Sequence, residues 1–310
     1  MTLTIRALRA EVPADAEAFA RTRRATIPYL VCTAEALAWE AAHAPASQRL
    51  RRLLATRPDG TVAGCADTGL LAGSTAPGHG FLHTAVPPGQ AGRGAGTALV
   101  AAGEAYLAGL GVRRVHSWVA DEDGARRFAE RLGYRRSRQA RFLGLDLRRT
   151  PLPELPAPLP AGVALASAAD FADDLRPLYE ADVECAADEP GDVDVGATPY
   201  EVWLRLNWGR PDWDAGLSGV VLVDGRVAAY SVAQIDGVDR YWSGMTGTRR
   251  AYRGRGLAAL AKLAALRRAR AAGYAHAYTG NDATNTPMLA VNRRLGYRVV
   301  ASEWRHLKTL

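Results

Sequence analysis

Apolar and polar positions run through the same order of elements twice. In the first pass, Thr2–Leu8 alternates and predicts a strand. Asp15–Arg24, behind Pro13, predicts a helix. Thr33–Ala42 predicts another, with Thr33 as its N-cap and Glu35 in its first turn. Arg49–Thr56 and Thr61–Ala72 flank Asp59-Gly60 and predict a hairpin. Gly80–Val86 is a strand. Thr97–Leu110 is a helix whose Leu99, Ala102, Tyr106 and Leu110 recur at helical spacing and predict the buried face. Val112–Val119, Gly124–Leu132 and Arg141–Leu147 then read strand, helix, strand.

Thr150–Gly162 interrupts the pattern with Pro151, Pro153, Pro156, Pro158 and Pro160. Proline at this density makes neither helix nor inner strand, so the segment reads as a stiff linker and a domain boundary. The second pass has a strand at Val163–Ala166, helices at Asp170–Glu184 and Thr198–Asn207 (Thr198 as N-cap, Pro199 at the first position), and a hairpin of Val220–Val223 and Val227–Ile235 around Asp224-Gly225. Tyr241–Thr246 is a strand. Leu257–Ala272 is a helix with Leu257, Leu260, Ala261 and Ala264 on its buried face. Its Arg267, Arg268 and Arg270 suit the negative end of the helix dipole. Ala275–Thr279, Pro287–Leu295 and Arg298–Leu307 close the chain as strand, helix, strand.

The two passes share motifs at one offset. Gly92-Arg93-Gly94-Ala95 recurs as Gly254-Arg255-Gly256-Leu257, 162 residues on, and Leu132-Gly133-Tyr134 recurs as Leu295-Gly296-Tyr297, 163 residues on. Features at one offset in one order argue for duplication. The length of 310 residues suits two domains, and 48% apolar residues suffice for two cores. No apolar run approaches the roughly 18 residues of a membrane span, and the N-terminus does not read as a signal peptide. Cys32, Cys65 and Cys185 are scattered, without disulfide or metal spacing, and fit a reducing cytoplasm. The net charge of +7 is spread over arginines along the whole chain. That pattern suits attraction of a polyanionic cofactor better than a nucleic-acid interface.

The chemistry concentrates at Arg253-Gly254-Arg255-Gly256-Leu257-Ala258, between a strand and a helix. First-turn N–H groups have no partner inside a helix and carry the positive end of its dipole. Glycine lets the backbone approach an anion, and arginine adds charge-assisted bonds to phosphate oxygens. The stretch reads as a pyrophosphate cradle. It is not a P-loop, because Leu257-Ala258 stands where Lys-Ser/Thr is needed. It is not a dinucleotide fingerprint, because the third glycine and the later acid are missing.

Arg253-x-x-Gly256-x-Ala258 resembles the acetyl-CoA motif of the GCN5-related N-acetyltransferase (GNAT) superfamily, and the trailing Leu-Gly-Tyr fits the same pattern. The resemblance spans nearly the whole chain. It implies an α/β (α+β) protein of two tandem GNAT-like domains, each a mixed, mainly antiparallel sheet flanked by helices, with a splayed central strand pair. The expected layout is 1–149, a 150–162 linker, and 163–310. The cofactor implied is acetyl-CoA, with no metal. Pantetheine would lie along Gly244–Thr248, with Met245, Thr246, Gly247 and Thr248 as contacts and the thioester toward Ala277–Asn281. Asn285 would contact the CoA arm, a position where an Asn also caps helices. The implied reaction is acetyl transfer to a primary amine of a small molecule by direct attack, which needs a base for the ammonium and donors for the oxyanion. Where many members offer a tyrosine as acid, this chain has Asn292, and Ala129 in the first copy; Tyr278 is another tyrosine nearby.

The copies differ. Ala91 stands where the second has Arg253, and Glu122 stands near the place of Asn285. The second domain is therefore expected to carry catalysis and the first to be degenerate, although Arg93-x-x-Gly96-x-Ala98 could restore its motif in a shifted register. On the acceptor side, Glu180, Asp182, Glu184, Asp188, Glu189, Asp192 and Asp194 are seven acids in fifteen residues without Lys or Arg. Such a segment would attract a cationic amine. Asp188 and Glu189 are the expected bases, with Asp239 and Asp236 as further candidates. Trp203, Trp208, Trp213 and Trp242 are candidates for the acceptor wall. The alternatives are a mycothiol-synthase-like tandem member and a non-catalytic acyl-CoA sensor. Monomer and homodimer remain open.

Overall fold

Two groups of elements, each with its own core, divide the chain in the computed structural model, which describes residues 3–9, 11–71, 77–191, 196 and 198–310. The first unit gathers Met1–Ala140 and Ser302–Leu310; the second gathers Arg141–Asp192 and Ala197–Ala301. The first contains β1 (Thr4–Ala7), α1 (Pro13–Thr26), α2 (Ala34–His43), β2 (Arg51–Thr56), β3 (Val62–Leu70), β4 (His79–Ala85), α3 (Ala95–Gly109), β5 (Arg114–Ala120) and α4 (Asp123–Arg131). The long β6 (Arg135–Asp146) leads out of it. The second contains β7 (Val163–Ser167), α5 (Arg176–Ala186), α6 (Tyr200–Leu206), β8 (Gly219–Val223), β9 (Arg226–Ile235), β10 (Arg240–Thr248), α7 (Leu257–Ala271), β11 (His276–Asp282) and α8 (Thr286–Arg294). The last strand, β12 (Arg298–Thr309), begins in the second unit, and its Ser302–Thr309 half belongs to the first.

Each sheet is mixed and mainly antiparallel. In the first the order is β1-β2-β3-β4-β5-β12, and in the second β7-β8-β9-β10-β11-β6. Among the described residues, the pairs β4–β5 and β10–β11 are parallel. Glu303–Thr309 of β12 pairs antiparallel with Arg114–Ala120 of β5. Leu143, Leu145 and Leu147 of the β6 region pack with Tyr241, Leu266 and Tyr297 in the second core. The final strand of each half of the sequence thus completes the sheet of the other half. Alternation predicts a strand but not its partner.

Local chemistry accounts for several boundaries. The expected helix Asp170–Glu184 is instead a short 3₁₀ turn, Ala168–Phe171, followed by α5 from Arg176. Pro177 is tolerated only in a first turn, so the helix starts beside it. Ser167 and Asp170 form a capping box on the 3₁₀ turn. Pro199, not Thr198, is the N-cap of α6; the Thr198 carbonyl accepts from the Tyr179 hydroxyl at 2.8 Å. The buried face of α3 is Leu99, Val100, Gly103 and Leu107 rather than the row through Tyr106. A Cβ on Gly103 would stand 2.5 Å from Leu82, and the Tyr106 ring lies beneath the Arg51 guanidinium at 4.2 Å. Residues 151–160 form neither helix nor strand, and Leu152 is buried in the second core. Arg267 donates to Pro153 O at 2.8 Å and Arg268 to Ala166 O at 3.0 Å, so these helix-end arginines serve tertiary contacts as well as the dipole. Cys32, Cys65 and Cys185 are free and buried. Among the described residues, no helix is long and apolar enough to cross a membrane.

The exchanged end of β12 brings Glu303 into the first unit. Burial pushes its carboxyl up to about 7, against the pull of Arg23 and Arg305. A carboxyl raised above its ordinary value near 4.5 contributes stability that is complete below that value and is lost as pH rises through about 7. Glu303→Gln is therefore expected to flatten the stability profile between pH 5 and 8 and to gain about 1–3 kcal/mol at pH 8. Urea denaturation of the full chain at several pH values checks this.

Candidate active site

Strands β10 and β11 part company after three residues. Arg240, Tyr241 and Trp242 pair in parallel with His276, Ala277 and Tyr278, and no pairing follows. At the same point the register of β10 against β9 slips between Ser243 and Thr246. A bulge of this kind bends a strand and re-aims its backbone groups. It leaves Gly244 and Met245 turned out of the ladder at the mouth of the fork. The fork is pinned below: Thr279 Oγ1 donates to Ser243 O at 2.9 Å, and Ser243 Oγ lies 3.3 Å from the Tyr297 hydroxyl. Beneath it, Lys262 of α7 is 1% exposed and reaches Thr279 Oγ1 at 3.4 Å. Burial alone pushes its amine down to about 7.

Beyond β10 the chain makes a 3₁₀ turn, Arg250–Tyr252, and enters the glycine turn. Gly254 and Gly256 have φ of +77° and +74°, which side-chain-bearing residues rarely adopt. Gly256 is the N-cap of α7, and no side chain caps the helix. Around both glycines a Cβ would meet nothing within 4 Å, so the turn faces open space. Free first-turn amides at an uncapped, open helix start are suited to phosphate oxygens. These residues fit the pyrophosphate of a CoA ester.

The end of α5 braces this turn. Glu184 accepts from Arg249 Nε at 2.8 Å and from the Arg250 amide at 2.6 Å. Asp188 accepts from Arg250 Nε at 2.9 Å and from the Arg253 guanidinium, whose own Nε donates to Thr248 O at 3.1 Å. The hydrogen bonds from Arg250 and then Arg253 hold the Asp188 carboxyl well below the usual carboxylate range. Helix α5 lies so close to β10 that a Cβ on Gly247 would stand 2.6 Å from Cys185.

Between α5, α6 and the sheet lies a cavity of about 300 Å³. Its wall includes Asp182, Glu189, Trp203, Trp213, Tyr230 and Met245, and it reaches Gly244. Asp182 accepts from Trp203 Nε1 at 2.8 Å and from the Tyr230 hydroxyl at 2.6 Å. Burial and the adjacent Asp182 push Tyr230 well up, so its hydroxyl remains a donor.

The first unit repeats the turn but not the cavity wall. Gly92 and Gly94 have φ of +75° and +87°, and α3 starts uncapped. Strands β4 and β5 also part after three pairs, His79 to Phe81 with Arg114 to His116. However, β4 keeps unbroken register against β3 from Gly80 to Ala85. His83 crosses the fork, with Nδ1 accepting from the Trp118 amide at 3.2 Å; burial holds its ring neutral by pushing it down to about 4. Beneath α1 and α2, Asp67 joins Arg23 at 2.9 Å and Arg52 at 2.8 Å, and Arg52 continues to Glu40. An ionic network therefore occupies this face of the first unit.

The family model described as "Acetyltransferase (GNAT) family" matches residues 17–134 and 176–297. The chain belongs to the GNAT family. Acyl transfer, in general terms N-acetyl transfer, follows from that membership. A GCN5-related N-acetyltransferase from Sphaerobacter thermophilus superposes with a TM-score of 0.73 at 24% identity, covering 99% of this chain and 95% of that one. A tandem GNAT protein from the clavulanic acid biosynthesis pathway gives 0.75 at 20% identity, covering 99% and 98%. A putative acetyltransferase from Pyrococcus horikoshii gives 0.58 at 13%, covering 99% and 89%. At these identities the structures speak for the fold, and the likeness to the clavulanic acid pathway protein extends it to a tandem arrangement. None of the curated proteins compared matches the sequence.

Within this GNAT framework the expected residues fall into three groups. Met245 to Thr248, and Arg253 to Ala258, lie on the forked strand and the turn that follows it. Thr246 Oγ1 meets Ser231 Oγ at 2.9 Å. Asn285 caps α8 by accepting from the Met288 amide at 3.2 Å, and Asn292 is buried and donates to Asn281 Oδ1 of β11 at 2.7 Å. Glu189 alone of the named bases lines the cavity. Asp188 is engaged at the turn by two arginines. Asp239 sits at the start of β10, about 15 Å of strand from Gly244. The geometry thus moves a base away from both. Asp236 accepts three backbone amides of its own turn, from Val238, Asp239 and Arg240. Trp203 and Trp213 reach the cavity. Trp208 stacks edge-on against Trp213, and Trp242 packs on Phe142. Asp192 and Asp194 lie outside the described residues. Sequence reading did not separate Asp182 from its acidic neighbours. Its helical phase with Leu178, Ala181 and Cys185, all buried, is the signal that marks it as inward-facing.

Lys262 provides a test of how the fork is built. An amine lowered from 10.5 to about 7 contributes stability present above 10.5 and lost as pH falls through about 7. Lys262→Met is expected to raise stability by about 2–4 kcal/mol at pH 6 and by less as pH rises toward 10, read by denaturant midpoints across that range.

Proposed function

We propose that this chain transfers an acetyl group from acetyl-CoA to a primary amine of a small molecule, and that the second unit does so. The observation that supports this reading is a single continuous arrangement. The forked, bulged β10 runs into an uncapped glycine turn at one end and borders a cavity on its α5–α6 side. In the first unit the strand is unbulged, His83 spans the fork, and ion pairs occupy the corresponding face, so we assign that unit a structural role.

Acetyl-CoA, when bound, supplies an acetyl thioester as donor. The chain's own residues do the rest. The amides at the start of α7, with Arg253 and Arg255, hold the pyrophosphate, and Met245 to Thr248 align the pantetheine arm. The backbone at the bulge offers donors to the acyl oxygen. The amine nitrogen, having lost its first proton, attacks the acyl carbon; the C–N bond forms, the C–S bond breaks, and the departing CoA sulfur takes up the second proton that the nitrogen sheds after attack, directly or through water. Glu189, at the cavity wall, is the carboxylate placed to take the amine's proton, directly or through water. Asn292 is an amide and cannot serve as the acid. We assign it instead to holding β11 through Asn281.

Calorimetric titration with acetyl-CoA tests the reading. One site per chain is expected, and Arg253→Ala should weaken binding by about 1–3 kcal/mol. Two sites per chain would give the first unit a working cradle. Unchanged affinity in Arg253→Ala would remove the turn from the CoA site.

A further inference from the structure

We infer that the cavity beneath α5 and α6 selects a compact organic ammonium, one ring on a short arm, and that Asp182 is the specificity-determining carboxylate that receives its charge. The inference rests on the acyl-transfer reading of the second unit and deepens it by naming the acceptor class.

The charges of the cavity wall lead to this class. Among the described residues, two carboxylates line it, Asp182 and Glu189, and one cation, Arg210. Arg210 is already chelated by Asp212 through Nε and a terminal nitrogen, both at 2.8 Å. The two partners of Asp182 are neutral donors, the Trp203 indole and the Tyr230 phenol. They fix the carboxylate in place without cancelling its charge. A carboxylate held in a part-buried wall favours a cation beside it and rejects an anion. Such a charge differs in kind from Asp188, which two arginines neutralise at the rim of the turn.

The remaining wall points the same way. Trp203, Trp213 and Tyr230 belong to the wall, and aromatic walls attract ammonium groups and pack against flat rings. A volume near 300 Å³ is at the small end of ligand cavities. It suits a compact molecule rather than an extended peptide. Gly244 and Met245 belong both to the wall and to the bulge of β10. The cavity therefore opens at the strand segment along which the acyl group would be presented.

The test uses the full chain and three shape-matched probes: 2-phenylethylamine, the neutral 2-phenylethanol and the anionic 3-phenylpropionate. Calorimetry at pH 7 should show the amine binding, the alcohol binding at least ten-fold more weakly, and no heat from the carboxylate. With acetyl-CoA present the amine should be acetylated. In Asp182→Asn its KM should rise at least ten-fold, with kcat changed less than three-fold and acetyl-CoA affinity unchanged. Equal binding of the alcohol or the carboxylate, absence of amine binding, or an unaltered amine KM in Asp182→Asn overturns the inference. The wild-type probe series decides the matter alone if the variant does not fold. A chain that binds the amine in this order but not acetyl-CoA overturns the acyl-transfer reading and leaves the cavity's selectivity standing. A chain that binds acetyl-CoA but not the amine does the reverse.

Discussion

The parting of β10 from β11 is the constraint on which the second unit depends. Two adjacent parallel strands normally satisfy each other's backbone groups along their length. Here three pairs form and the rest are left open, which must be stabilised elsewhere because unpaired buried backbone is costly. The bulge after Ser243, the Thr279 bond to the Ser243 carbonyl and the packing of Tyr241 and Tyr297 below it hold the fork open at a fixed place. Lys262 beneath this point is an expensive residue to bury. Among the described residues its amine hydrogen-bonds to the same Thr279 that pins the fork.

The turn and the cavity both hang from that fork. Residues leaving β10 pass directly into the glycine turn, so the position of the α7 amides is set by where the strand ends. Arginines 249, 250 and 253 then tie the turn back to Glu184 and Asp188 at the end of α5. Six residues before Asp188, helix α5 turns Asp182 inward, and Asp182 with Trp203 and Tyr230 forms part of the cavity wall. One helix thus braces the anion-binding turn with its C-terminal end and shapes the acceptor space with its inner face. Exposed ion pairs of this sort add little stability individually; here they act on position.

The two copies show how one pattern serves different ends. Both keep positive-φ glycines before an uncapped helix, because that backbone path follows from the residues themselves. They differ in what surrounds the fork. His83 and the Arg23–Asp67–Arg52–Glu40 network occupy the first, whereas Gly244, Ser231 and Gln234 border an open cavity in the second. Substitution of Arg253 by Ala91 was visible in the sequence as a difference between copies. The filling of the first unit's acceptor face was not, because Arg23 of α1 meets Asp67 of the β2–β3 hairpin from 44 residues away.

Much of this protein was determined locally. The hairpins at Asp59-Gly60 and Asp224-Gly225, the glycine turns, the helices after them and the duplication could be read from the chain, because each depends on φ preferences, helical or strand periodicity and spacing between near neighbours. The acid-rich stretch was legible as a stretch but not as roles. Asp188 met two arginines 62 and 65 residues away, and Asp182 met an indole and a phenol from other elements, contacts that no local pattern contains. Tertiary structure alone decided that β12 completes the first sheet and β6 the second, that α5 starts at Arg176 and leans on Gly247, and that the second unit keeps a cavity where the first holds ion pairs. The physical reason is the same in each case: backbone conformation is set by neighbours in sequence, whereas the partner of a strand edge or a buried charge is set by what packing brings beside it.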